Sequence, residues 1–156
     1  MTEQPELNDD FVDMLRAFVK ARVEFVIVGA HALAAHGQPR ATGDLDLLIE
    51  PNARNAERVL EALRDFGAPV AAHGIFAADF ERPNNVYQIG LPPRRIDLLT
   101  SITGVSFEEA RSTRIIVTLE GMSLPVLGRE ALIKNKRATG RPKDIVDADV
   151  LEAAVR

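Results

Sequence analysis

The stretch GDLDLLIE, Gly43–Glu50, decides how this chain is read. Leu45, Leu47 and Ile49 alternate with Asp44 and Asp46, the period-two pattern of a strand with one face in a core. Alternation puts the two carboxylates on the same face, ~7 Å apart along the chain. Acids held that way on a partly buried strand repel each other and raise each other's pKa unless a cation stands between them. A hard divalent ion answers that need, since Mg²⁺ takes oxygen ligands and commonly uses one or two carboxylates together with phosphates. The plainer alternative for such a pair is a solvated strand edge.

The flanking sequence bears on that choice. Upstream, Glu24–Val28 (EFVIV) is β-branched and aromatic, stops at Gly29, and is followed by the alanine-rich Ala30–His36, a short helix halted by Gly37 and Pro39. A helix opening on glycine offers backbone N–H groups to an anion and lets a phosphate approach closely. Downstream, Arg95-Ile96-Asp97-Leu98-Leu99 sets a third acid at the head of another apolar strand. If the two strands are neighbours, Asp97 completes a three-carboxylate cluster; otherwise it is a surface acid paired with Arg94 or Arg95.

The remaining pattern gives a mixed sheet with helices packed on it, an α/β (α+β) chain. Phe11, Met14, Leu15, Phe18 and Val19 recur at helical spacing after Asn8-Asp9-Asp10, and Val59, Leu60, Leu63 and Phe66 mark a helix between Pro51-Asn52 and Gly67. Val86–Ile89 reads as a strand. Ile115–Leu119 and Ser123–Val126 flank Glu120-Gly121 as a hairpin. Helices over Arg129–Arg137 and Lys143–Val155 are broken at Gly140 and Pro142. No repeat or linker interrupts this order, so residues 1–156 are expected to form one domain, with helices from about 128 to 156 packing on the core.

Composition narrows the function classes. A net charge of −4 speaks against a chain that coats nucleic acid, though not against a local basic patch. Cysteine is absent, the N-terminus MTEQPELNDD is acidic rather than signal-like, and no apolar run approaches a membrane span. A cytoplasmic protein with no thiolate metal site and no membrane partner is the expectation. His31 and His36 are five apart and poorly placed for zinc; packing or capping suits them, with His31 close enough to the glycine turn to touch a phosphate. Arg40 and Thr42 suit either loop hydrogen bonding or phosphate. Lys134, Lys136, Arg137, Arg141 and Lys143 form a basic run that is either a solvated helix end or, beside an acidic metal site, a triphosphate or nucleic-acid contact, Lys136 above all. Tyr87 is a core residue or a base-stacking one. VGAHALAAHG lacks the G-x-G-x-x-G pattern of a dinucleotide-binding unit.

A strand ending in Gly29, a short helix, Asp44-x-Asp46 fifteen positions on, and the later Asp97 together resemble the DNA polymerase β-like nucleotidyltransferase superfamily. GQPRATGDLDLLIEP, with Arg40-x-Thr42-x-Asp44-x-Asp46, and KNKRATGRPKDIVDADVLE near the C-terminus look more narrowly like the AbiEii-like toxin nucleotidyltransferases of toxin–antitoxin pairs. The resemblance implies the nucleotidyltransferase fold and transfer of a nucleoside monophosphate from a nucleoside triphosphate such as ATP to an acceptor hydroxyl on RNA, protein or a small molecule. It implies Asp44, Asp46 and Asp97 as catalytic metal ligands for Mg²⁺ or Mn²⁺. Gly29, Ala30, His31, Arg40, Thr42 and Lys136 are then the triphosphate contacts, and an antitoxin protein is an expected partner. The chain departs from the family in one place: Gly29-Ala30 stands where Gly-Gly or Gly-Ser is usual. A catalytically idle protein of this fold, binding a nucleotide or a partner protein, is the competing expectation.

Overall fold

The alternation around Asp46 becomes β2 (Leu45–Ile49), whose neighbours on either side set the architecture. The computed structural model describes residues 7–38 and 43–154. The glycine-terminated run forms β1 (Phe25–Val28), antiparallel to β2, with Phe25 opposite Ile49 and Val28 opposite Asp46. On the far side of β2 lies β4 (Ile96–Leu99), parallel to it, with Asp46 opposite Asp97. The sheet continues outward through β3 (Val86–Ile89) beside β4, and through the hairpin β5 (Ile115–Leu119) and β6 (Met122–Val126) beside β1. Strand order is β3-β4-β2-β1-β6-β5, and both parallel and antiparallel pairs occur. The hairpin turns at Glu120-Gly121, both at positive φ, as expected of a two-residue loop that follows strand twist.

The two long amphipathic helices form where the caps predict. Helix α1 (Asp9–Lys20) is opened by Asn8, whose side chain accepts from the Phe11 N–H at 3.0 Å, and it buries Phe11, Met14, Leu15 and Phe18. Helix α2 (Gly29–Ala35) follows β1 directly, without an intervening loop. Helix α3 (Ala53–Phe66) is capped by Asn52 and ends at Gly67 in the left-handed conformation, burying Val59, Leu60 and Leu63. Helix α1 packs on α3, and α5 (Arg129–Thr139) packs on α6 (Pro142–Ala153). Between them the sequence reading misses a 3₁₀ turn (Ala77–Phe80), which buries Phe80, and α4 (Phe107–Ser112). Ser106 caps α4 by accepting from the Glu109 N–H at 3.1 Å, but six residues are too few to show a helical period.

The interior is an apolar cluster of Leu45, Leu47, Leu48, Ile49, Leu98 and Ile96 from the sheet, with Met14, Phe18 and Leu63 from the helices. One buried polar residue ties it to the backbone. Asn55, only 2% exposed, accepts from the Glu24 N–H at 2.8 Å and donates to the Glu24 and Glu50 carbonyls, each at 3.0 Å. It thereby fixes the entry to β1 and the exit from β2 against the first turn of α3. Among the described residues no helix is long and apolar enough to cross a membrane. Because Asn55→Ala removes three hydrogen bonds to the backbone of Glu24 and Glu50, it should lower unfolding stability by about 3 kcal/mol in urea titration, more than one ordinary hydrogen bond contributes.

Candidate functional site

The strand pairing that puts Asp46 opposite Val28 also explains the glycine after it. Where the chain leaves β1, Gly29 has φ +70°, and a Cβ there would collide with the Asp46 carboxylate. Asp46 therefore demands glycine at the strand–helix turn twice over, by conformation and by space. On its other side Asp46 faces Asp97 across the β2–β4 ladder. Asp44 lies just before β2 rather than in it; its side chain accepts from the Arg95 N–H at 3.1 Å. The three acids that the sequence reading groups are thus brought together, with Asp97 buried at 7% exposure rather than on the surface.

The cation between them belongs to the chain itself. Arg95 donates to both Asp97 oxygens, at 2.8 and 3.1 Å, and its Nη2 lies 3.1 Å from Asp44 Oδ2. So Asp97 both joins the cluster and pairs with Arg95. Asp46 is left with the least compensation. Burial, then the neighbouring Asp97 and Asp44, push its pKa up to about 7, against a smaller downward pull from Arg95.

Asp46 also lines a cavity of about 470 Å³, large enough for a small ligand. Gly29 and Ala30 line it from one side and Leu99 from the sheet. The opposite wall comes from α5 and α6, which contribute Lys136, Arg141, Lys143, Asp144 and Asp147. Lys136 is held 3.2 Å from Asp144 and 3.3 Å from Asp147, and Asp144 also accepts from Thr139 at 2.6 Å and Arg141 at 2.7 Å. Burial raises the Asp144 carboxyl, but these donors outweigh it and bring its pKa to about 2. Of the basic run, Lys136, Arg141 and Lys143 line the cavity with the acids of the same network, whereas Lys134 pairs with Glu109 and Arg137 with Asp149 and Glu152.

The other expected contacts divide. Ala30 and Lys136 reach the cavity, whereas His31 packs edge-on against Phe11 at 5.5 Å between ring centres and hydrogen-bonds the Gly43 backbone. Its Nε2 is buried without a hydrogen-bond partner among the described residues, and burial lowers its pKa. Arg40 and Thr42 lie outside the described residues. His36 caps its loop through the Leu127 carbonyl at 2.8 Å. Tyr87 is 7% exposed and bonded to His73 at 2.8 Å, so it is a core residue and not a base-stacking platform. Ser101, Thr103 and Asn135, which no sequence pattern marks, also line the cavity.

The fold has a counterpart of known structure. The chain matches the crystal structure of a Thermotoga maritima protein, itself provisionally described as a nucleotidyltransferase, with a TM-score of 0.57 over 97% of both chains and 14% identity. The fold is that of a nucleotidyltransferase. At that identity the likeness speaks for the fold alone. No protein-family model matches the chain, and no curated protein shows significant similarity to it.

As they stand, no three His, Asp or Glu side chains among the described residues form a closed metal-holding group. The donor chemistry nevertheless suits a hard cation. Asp44, Asp46 and Asp97 offer oxygens only, Asp44 and Asp97 already draw on the positive charge of Arg95, and burial and the neighbouring acids raise the Asp46 pKa to about 7.

The raised Asp46 pKa predicts how metal-free stability depends on pH. Below about pH 4 the carboxyl is protonated whether the chain is folded or not, so it carries no penalty. As pH climbs to about 7 the unfolded chain releases its proton first, and stability falls until the folded form ionises too. Asp46→Asn should therefore raise stability by about 3 kcal/mol at pH 8 in chelator-treated protein, a gain that fades towards pH 4 in parallel denaturant titrations.

Proposed function

We propose that this chain is a metal-dependent nucleotidyltransferase that moves a nucleoside monophosphate from a nucleoside triphosphate to an acceptor hydroxyl, releasing pyrophosphate. The observation that carries the reading is the register of β2 against β4, which sets Asp46 beside Asp97, with Asp46 lining a cavity whose far wall carries Lys136, Arg141 and Lys143 among Asp144 and Asp147. Asp44, Asp46 and Asp97 would hold Mg²⁺ or Mn²⁺, which when bound supplies Lewis-acid neutralisation of the charge developing on the transferred phosphoryl group.

The protein's own part is positioning. Gly29 and Ala30 bring the backbone close to the triphosphate without a side chain in the way, while Lys136 and Arg141 face it across the cavity as fixed positive charge. Asp97, buried and bordering Asp46, would take the proton of the acceptor hydroxyl once freed of Arg95. Lys136 is held rigidly by Asp144 and Asp147, so it presents its charge without losing side-chain freedom on binding.

The narrower reading, a toxin nucleotidyltransferase acting on RNA and restrained by an antitoxin, rests on the resemblance of the Arg40–Asp46 and C-terminal segments. A second reading has its own support. Arg95 sits on two of the three carboxylates and Ala30 supplies no hydroxyl at the turn, as would suit an idle protein that binds a nucleotide or a partner without turnover.

Incubation with α-labelled nucleoside triphosphates, Mg²⁺ or Mn²⁺ and total cellular RNA or protein separates the two. The enzyme should transfer label, and Asp46→Ala should reduce transfer at least a hundredfold; equal transfer by the variant would remove the assigned site. An idle protein shows no transfer, yet still gains thermal stability from a triphosphate by mass action.

A further inference from the structure

We infer that Arg95 is a resident counter-cation of the acidic site, a side chain that must swing out of the carboxylates before a divalent ion can enter. The inference builds on the metal-binding part of the function proposed above.

The geometry separates the side chain of Arg95 from its backbone. The backbone is fixed: its N–H bonds Asp44 at 3.1 Å, and its carbonyl accepts from the Leu45 N–H at 3.0 Å, just ahead of the β2–β4 ladder. Among the described residues the guanidinium is bound through side-chain contacts, to Asp44 and Asp97. Its side chain is 28% exposed, against 17% for Asp44 and 10% for Asp97, so it approaches from the solvent side. It can therefore leave without disturbing the register that aligns Asp46 with Asp97.

The charges explain why it is there and why it must go. With all three acids ionised, one arginine leaves the cluster at net −2. Arg95 spends its planar fork on the two Asp97 oxygens and Asp44, the same oxygens that would face an incoming metal. A compact divalent ion and a guanidinium cannot share them, since two cations bound to the same oxygens would repel at a few ångströms. The neighbouring Arg94 points elsewhere, to Asp10 on α1 at 3.5 Å, so it offers no replacement. Lys136 is engaged with Asp144 and Asp147. Arg95 thus holds the acids together in the empty protein and raises the threshold for a bare metal ion.

Metal binding without nucleotide tests this directly. Mn²⁺ is titrated at pH 8 and low salt into chelator-treated wild type, Arg95→Gln and Arg95→Lys, with free Mn²⁺ followed by electron paramagnetic resonance. Arg95→Gln should bind at least tenfold tighter than wild type. Arg95→Lys, which keeps charge and stem but not the fork, should fall between them and carries the comparison if the glutamine variant does not fold. Metal-free Arg95→Gln should also melt below wild type, with the difference closing at saturating Mn²⁺. Equal or weaker binding by both variants overturns the role given to Arg95 while leaving the metal site standing. Binding by none of the three proteins at millimolar Mn²⁺ overturns the metal site and this inference together.

Discussion

Two aspartates side by side on adjacent parallel strands, Asp46 against Asp97, are the constraint around which this structure is arranged. Like charges at such a pairing position are unfavourable, and partial burial makes them more so. The surroundings supply what relieves them: Arg95 on Asp97 and Asp44, and an open cavity beside Asp46. Gly29 is where it is because Asp46 occupies the space a larger residue would need. The apolar half of the same strands, Leu45, Leu47 and Leu98, anchors the acids from behind in the core.

The antiparallel run of β1 beside β2 matters to this arrangement. It brings the end of β1, where α2 starts, level with the head of β2. The parallel pairing of β4 then adds its second residue to the same place. Three segments far apart in sequence converge there through strand register alone, and α5 and α6 close the space opposite them. The two walls have opposite electrostatic characters. The sheet side is acid-rich and compensated by one arginine, and the helical side is a network in which Lys136 and Arg141 share Asp144.

Much of this is legible in the sequence because it depends on local signals. Asn8 and Asn52 announce helix starts, Gly67 and Gly140 announce ends, and alternation around Asp46 identifies the strand. Arg95 and Asp97 are two apart on one strand face, so their pairing was readable as well. Its extension to Asp44, fifty-one positions away, was not. The same holds for the cavity. Lys136 was singled out for its neighbours in sequence, but its burial between Asp144 and Asp147 is a product of how α5 folds onto α6. Tyr87 shows the opposite limit: exposure decides whether an aromatic stacks on a ligand or fills a core, and exposure is set by the 3₁₀ turn that the sequence pattern conceals.

The buried acid pair also has an evolutionary side. A fold gains stability when the uncompensated member of such a pair is replaced by a neutral residue of similar shape, because a standing electrostatic penalty disappears. Mutational drift at Asp46 would thus run downhill in free energy, unlike drift at Leu47 beside it, where each loss opens a void. In a lineage released from whatever these carboxylates do, the acids would be the first residues to erode and the leucines the last. Keeping the pair requires continual selection against the chain's own more stable variants.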